Sequence, residues 1–217
     1  MPTAVALLVA AGRGERLGSS GPKAFVPCAG RPLYAWSLEA LQAVPAIEHV
    51  VVALPPGINA PHGTIGVTGG AERSHSVRAA LHAAPASDWV VVHDAARPML
   101  EAATVQDCLD TLAQEDCDAA IAAAPVADTI KEGEGEVVVR TLDRRHLWAV
   151  QTPQAFRRDA LERALGLGDA ALAAATDDAS LIEGFGGEVR LVPAPRANFK
   201  VTGPEDLRLA ELILRDR

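Results

Sequence analysis

Three stretches of this 217-residue chain combine residue types that handle phosphate. The first is Gly12-Arg13-Gly14-Glu15-Arg16-Leu17-Gly18, which runs on to Gly21-Pro22-Lys23. Glycines at four of ten positions let the backbone approach a ligand and turn N–H groups towards it. Arg13, Arg16 and Lys23 outnumber Glu15, so the segment is basic inside an acidic chain. That is the composition of a polyphosphate cradle. A P-loop is excluded, because Gly21-Pro22-Lys23-Ala24 lacks the closing Gly-Lys-Ser/Thr. The dinucleotide fingerprint fits no better. Gly18 falls one residue late, and Ala53-Leu54-Pro55 offers no acid to hold a ribose. A nicotinamide-dependent oxidoreductase is disfavoured on both counts.

The second stretch is Gly69-Gly70-Ala71-Glu72-Arg73-Ser74-His75-Ser76. It places Ser76 near the start of a helix, where free N–H groups and a hydroxyl could hold a base or ribose. Ser74 and Ser76 are equally good as plain helix-capping residues. The third is His93-Asp94-Ala95-Ala96-Arg97-Pro98. Beside bound phosphates, Asp94 would hold Mg²⁺ directly or through water; without them, it would form a structural pair with Arg97. Small Ala95 and Ala96 leave room for a ligand. Later, Asp177 and Asp178 could cap a helix, and Lys200 taken alone reads as a surface lysine. The chain has no Ser-His-Asp order and no poised Cys–His pair, so an enzyme nucleophile is not indicated.

These residues need a scaffold, and the hydrophobic pattern supplies one. Apolar runs at Ala4–Ala11, His49–Leu54, Ile65–Thr68, Trp89–His93, Ala119–Ala124 and Val189–Val192 read as strands. Helical spacing follows Pro32 and covers Ser74–Ala84, Ala102–Gln114 and Arg157–Leu167. Further helices open at Thr176-Asp177-Asp178 and at Pro204, the latter capped by Thr202 or Gly203. Strands alternating with helices predict an α/β, Rossmann-like three-layer fold with a mostly parallel sheet. Ligands of such sheets sit beyond the strand carboxyl ends, where all three stretches lie. Asp128–Leu142 breaks the pattern and reads as a protruding hairpin with a Gly/Glu turn. The expected organisation is one domain over 1–217, with a β-arm inserted at about 126–148.

Composition removes other classes. Apolar residues at 49% and charged residues at 22% are those of a globular protein, which argues against disorder. No apolar run approaches the ~18 residues of a membrane span, and the N-terminus has no basic flank of a secretory signal. A cytoplasmic protein without membrane association is expected. Three cysteines at unrelated spacings make neither a zinc site nor a disulfide frame, and are read as small buried hydrophobes. A net charge of −8 makes a nucleic-acid partner a poor expectation.

Taken in order, Leu8–Gly18 with Pro22-Lys23 resembles the signature loop of nucleotidyltransferases that activate sugars and polyols. Further segments narrow the resemblance: Gly69-Gly70-x-Glu72-Arg73, Val92–Pro98, Ala124–Lys131, Asp143-Arg144, Gln151-Thr152-Pro153-Gln154, Thr176-Asp177 and Asn198–Thr202. Together they are similar to the 2-C-methyl-D-erythritol 4-phosphate cytidylyltransferase family of non-mevalonate isoprenoid biosynthesis. A relative acting on ribitol 5-phosphate or a similar polyol phosphate would share the nucleotide half. The resemblance implies CTP and a polyol phosphate as substrates, Mg²⁺ as cofactor and a homodimer whose arms interlock. It implies that Arg16, Lys23 and Lys200 face the phosphates. Ala10, Ala11, Gly12, Gly70, Ser76 and Ala95 would hold the nucleotide, and Asp94 the metal. Thr129, Arg144, Thr152 and Thr176 would hold the second substrate, with Thr129 and Arg144 reaching the partner's site and Arg97 in a positioning role.

Overall fold

The computed structural model describes residues 2–12, 14 and 21–215. In chain order, β1 (Ala4–Val9) leads to the short strands β2 (Pro27–Cys28) and β3 (Arg31–Pro32). Then come α1 (Leu33–Gln42), β4 (Ile47–Leu54), β5 (Ile65–Thr68), α2 (Arg73–Ala83), β6 (Trp89–Asp94), α3 (Ala102–Gln114) and β7 (Ala119–Pro125). A hairpin of β8 (Lys131–Glu134) and β9 (Val137–Thr141) precedes β10 (Trp148–Arg157). The chain continues through α4 (Arg158–Leu165), α5 (Asp169–Ala174), α6 (Asp178–Gly184), β11 (Val189–Pro193) and α7 (Pro204–Arg215).

Seven strands form one sheet in the order β11-β7-β10-β6-β1-β4-β5. β1 runs parallel to β4 and β6, β4 to β5, and β7 to β11. A mostly parallel sheet is buried on both faces, and the alternation along β1 shows it. Ala4, Ala6 and Leu8 join Leu41 of α1 and Leu109 and Leu112 of α3 in one core. Val5 and Leu7 turn the other way, to Leu81 of α2, Leu161 and Leu165 of α4 and Ile182 of α6. This is the expected three-layer α/β fold. A third, smaller core packs Ala210 and Leu214 of α7 on Cys28, Leu33, Met99 and Val201. Asp206 closes the start of α7 by accepting from the backbone N–H of Thr202 and Gly203. All three cysteines are free and buried, as expected.

Besides the two-residue strands β2 and β3, two longer elements were not expected. β10 enters the sheet antiparallel, between β6 and β7. Proline cannot donate to a ladder, so a Pro within a run argues against a central strand. Here the β10–β7 register breaks between Val150 and Gln154, which accommodates Pro153. The alanine-rich link after Gly168 forms the short helix α5 rather than a loop. The expected hairpin is present, with every residue of both strands exposed. No helix among the described residues is long and apolar enough to cross a membrane.

Candidate active site

The parallel strands β1, β4, β5 and β6 end together at one edge of the sheet, with Val9 opposite both Ala53 and Asp94 and Leu54 opposite Thr68. Backbone bonds continue the ladders past the strand ends: Ala10 to Ala53, Gly69 to Leu54 and Ala95 to Val9. The three phosphate-handling stretches therefore leave the same crevice. Glycine is required where they meet. A Cβ on Gly69 would collide with the Cβ of Ala11 and sit 2.9 Å from Ser76 Oγ. Ser76 is buried, and its hydroxyl accepts from the Gly70 N–H and donates to the Glu72 carbonyl. In the first loop Gly14 has a φ of 72°, and a Cβ there would lie 2.6 Å from that of Lys23. The Lys23 N–H also donates to the Gly12 carbonyl. Lys23 thus lies beside Gly12 and Gly14. Arg13 and Arg16 lie outside the described residues.

Asp94, the last residue of β6, is the electrostatic centre. Its Oδ1 accepts from Arg73 Nε at 2.9 Å, and its Oδ2 from Lys200 Nζ at 2.7 Å. Burial alone would raise this carboxyl. Arg73 and Lys200 overcome that and hold it well below the usual carboxylate range. The alternative reading of Asp94, a structural pair with Arg97, is not what forms. Arg97 instead donates from Nη1 to the Asn198 carbonyl at 2.8 Å. Asn198 in turn donates from Nδ2 to Gln151 Oε1 and the Thr152 carbonyl, and the Val201 N–H reaches Ala96. These bonds tie the chain carrying Lys200 to β10 and to the loop after Asp94. Lys200 is therefore not a free surface lysine.

Below Asp94 runs a second chain of bonds. The Asp94 N–H donates to Thr152 Oγ1 at 3.0 Å, and Thr152 Oγ1 lies 3.1 Å from His93 Nδ1. His93 Nε2 faces the Arg97 carbonyl at 3.3 Å. A carbonyl only accepts, so Nε2 carries the proton and Nδ1 takes the Thr152 hydroxyl hydrogen. Burial pushes the His93 pKa down to about 4, so the ring is neutral at pH 7.

A cleft of about 370 Å³ opens over this network, lined by Arg73, Asp94, Arg97, Thr152, Thr176 and Lys200 among others. The lining sets Arg73, Arg97 and Lys200 among Asp94, Asp177 and Glu183, so each cation that could meet an anionic group is held close to a carboxylate. A family model described as 2-C-methyl-D-erythritol 4-phosphate cytidylyltransferase matches residues 4–216. The chain belongs to the 2-C-methyl-D-erythritol 4-phosphate cytidylyltransferase family. It is 47% identical over 214 residues to the enzyme of that name from Deinococcus radiodurans, covering 98% of this chain and 90% of the other. A similar enzyme from Frankia casuarinae is 44% identical, with 98% and 82% covered. The crystal structure of the cytidylyltransferase from Thermus thermophilus superposes with a TM-score of 0.83 at 37% identity, covering 99% of this chain and 100% of that one.

Within this cytidylyltransferase frame the expected site residues fall into three groups. Asp94, Thr152, Thr176 and Lys200 share the cleft. Ala10, Ala11, Gly12, Lys23, Gly70, Ser76 and Ala95 occupy the loops and helix start beside it, Ala10 and Ala95 being buried. Thr129 and Arg144 do not line the cleft. Both are exposed on and beside the arm, where Arg144 donates to the Ala127 carbonyl. Thr152 lines the cleft, but its hydroxyl is committed to Asp94 and His93. Sequence reasoning missed Arg73 and gave Asp178 only a capping role. Asp177 is the cap, accepting from the Ser180 N–H, and the Asp178 side chain points inward to Arg73. The signal available was the pair of adjacent acids at a helix start, since one cap needs only one of them.

Proposed function

We propose that the chain transfers the cytidylyl group of CTP to 2-C-methyl-D-erythritol 4-phosphate and releases pyrophosphate. Family membership over nearly the whole chain supports the reaction. The observation that carries the site is Asp94 at the strand edge, with Lys200 on one oxygen and Arg73 on the other. An oxygen of the polyol phosphate attacks the α-phosphorus of CTP. The bond from that phosphorus to the bridging oxygen breaks, and its electron pair leaves with pyrophosphate. The attacking oxygen is already anionic at neutral pH, so no base is needed. The difficulty is bringing anions together: unit charges 4 Å apart repel by about 4 kcal/mol at an effective dielectric of 20. Arg16, Lys23 and Lys200 are assigned to offset that repulsion and the charge growing at the α-phosphate. Ala10, Ala11, Gly12, Gly70, Ser76 and Ala95 are assigned to cytidine, Ser76 by holding the Gly70 loop in shape. Thr176 is assigned to the polyol phosphate, Thr152 to fixing the Asp94 backbone beneath it.

Mg²⁺ belongs to the same proposal. Among the described residues no group of three His, Cys, Asp or Glu side chains could enclose a metal. One carboxylate at a phosphate site does fit Mg²⁺, which takes one or two carboxylates together with substrate phosphates. Asp94 would hold it, and the ion would neutralise phosphate charge. A homodimer is proposed from the arm, whose Val137, Val138 and Val139 are each more than half exposed. A partner's arm would then bring its Thr129 and Arg144 to this chain's polyol phosphate. The deciding experiment incubates the protein with CTP, Mg²⁺ and separate polyol phosphates while following pyrophosphate. Release with 2-C-methyl-D-erythritol 4-phosphate at least a hundredfold faster than with ribitol 5-phosphate is expected. Equal or reversed rates would overturn the substrate assignment.

A further inference from the structure

Arg73 spans two carboxylates that lie far apart in the sequence, Asp94 and Asp178. Its Nε donates to Asp94 Oδ1 at 2.9 Å, and its Nη1 to Asp178 Oδ2 at 2.7 Å. Asp178 is fully buried, does not line the cleft, and so cannot itself meet a substrate. It is held in place by its neighbours. Asp177 caps α6 through Ser180, and Gln154 of β10 donates to Asp177 Oδ2 at 2.8 Å. The same turn presents Thr176 to the cleft.

The charge pattern gives this arrangement a purpose beyond joining α2 to α6. Lys200, Asp94, Arg73 and Asp178 form a line of alternating sign that sums to zero. Without Asp178, Lys200, Asp94 and Arg73 would carry one net positive charge, and the Asp94 carboxylate would be over-neutralised. With it, half of the guanidinium fork is occupied, and Asp94 keeps charge for a cation that takes the place of Lys200 at Oδ2. The fork also fixes how the carboxylate is turned: Arg73 takes Oδ1, and Oδ2 faces Lys200, whose ammonium a cation arriving there would have to displace. A lysine at 73 could not do this, because only the planar guanidinium offers two donors at a fixed angle.

We propose that Arg73 and Asp178 are positioning residues for Asp94: Arg73 orients its carboxylate, and Asp178 neutralises Arg73 so that Asp94 can accept a divalent cation arriving with the nucleotide. This rests on the reading of Asp94 given above, and the experiment separates the two. Asp178→Asn keeps the shape and removes the charge. It is expected to lower kcat at least tenfold while changing KM for CTP less than threefold. It is also expected to weaken Mn²⁺ binding to the enzyme–CTP complex at least fivefold, read as free Mn²⁺ by electron paramagnetic resonance. A bond serving only the fold would lower Tm and leave the Mn²⁺ affinity of the folded protein alone. The double variant Arg73→Gln/Asp178→Asn leaves no unpaired buried charge, so it keeps the test alive if the single variant does not fold. It should regain Mn²⁺ affinity to within threefold of wild type, yet stay at least tenfold slow, because the carboxylate is no longer oriented. Folded variants with kcat and Mn²⁺ affinity within twofold of wild type would overturn the proposal. Wild-type activity in Asp94→Asn would instead bring down the reading of the site itself.

Discussion

At the scale of single residues, the site is organised by charges that hold one another in place before any substrate arrives. Lys200 makes the clearest case, because its ammonium rests 2.7 Å from Asp94 Oδ2 yet belongs to a loop at the cleft. Removing one donor that stabilises transition-state charge costs about 10²–10³ in rate. Lys200→Ala is therefore expected to lower kcat about a hundredfold and to raise KM for CTP much less. Steady-state kinetics would refute the assignment if the loss lay mainly in KM. His93 makes a different prediction, about stability. Its folded pKa of about 4 lies below the ~6.5 of an unfolded histidine. Above pH 6.5 both states are neutral and the full stability is present. As pH falls from 6.5 towards 4, the unfolded chain takes up a proton that the folded one refuses, so stability drops by up to roughly 3 kcal/mol. Denaturant titrations of metal-free protein should show this slope, and His93→Gln should flatten it. An unchanged slope would mean that His93 protonates without unfolding pressure. The phosphate-handling residues were legible in the sequence because glycine, lysine and acid cluster after apolar runs. Arg73 and Asp178 were not, because their partnership joins positions far apart in the chain and only the fold reveals it.

At the scale of elements, the crevice exists because strand ends and loops can touch. Gly69 is the narrowest point, where the loops after β1 and β5 meet against Ser76 of α2. Gly69→Ala must push Ala11 or Ser76 aside, and overpacking of this kind costs about 1–3 kcal/mol. Since those loops are assigned to cytidine, the variant should raise KM for CTP at least tenfold and leave KM for the polyol phosphate within about twofold. Equal changes in both would mean that the collision spreads through the whole cleft. The parallel strands could be read from periodicity, because strands buried on both faces are continuous apolar runs. β10 escaped that logic. Gln151, Thr152, Pro153 and Gln154 look like a loop, yet they belong to β10, inside the sheet between β6 and β7. Most of their side-chain polar atoms find partners in Asn198, His93, Asp177 and the Asp94 backbone, which no local pattern announces, while Gln154 Oε1 is buried without one. A polar central strand is thus a feature of the site more than of the scaffold.

At the scale of the whole molecule, the arm is the part that the chain does not explain by itself. β8 and β9 pair with each other and lie outside the seven-stranded sheet. Arg140 and Glu132 form an ion pair across the hairpin, but a surface pair contributes little. A two-stranded hairpin is marginal in water, and Val137, Val138 and Val139 stand open on both of its faces. A second copy would cover them and would carry Thr129 and Arg144 to a neighbouring cleft. Two consequences follow from that one contact. Val138→Glu should shift the protein from two copies to one in sedimentation, since a charge would be buried without a partner. Activity should fall in the same variant through a raised KM for the polyol phosphate, with CTP affinity within about twofold of wild type. Arg144→Ala should reproduce the kinetic loss without the change in mass, because Arg144 touches the substrate in this scheme and the valines only the partner. A wild-type protein that sediments as one chain at full activity would remove the arm from catalysis and leave each cleft to bind both substrates alone.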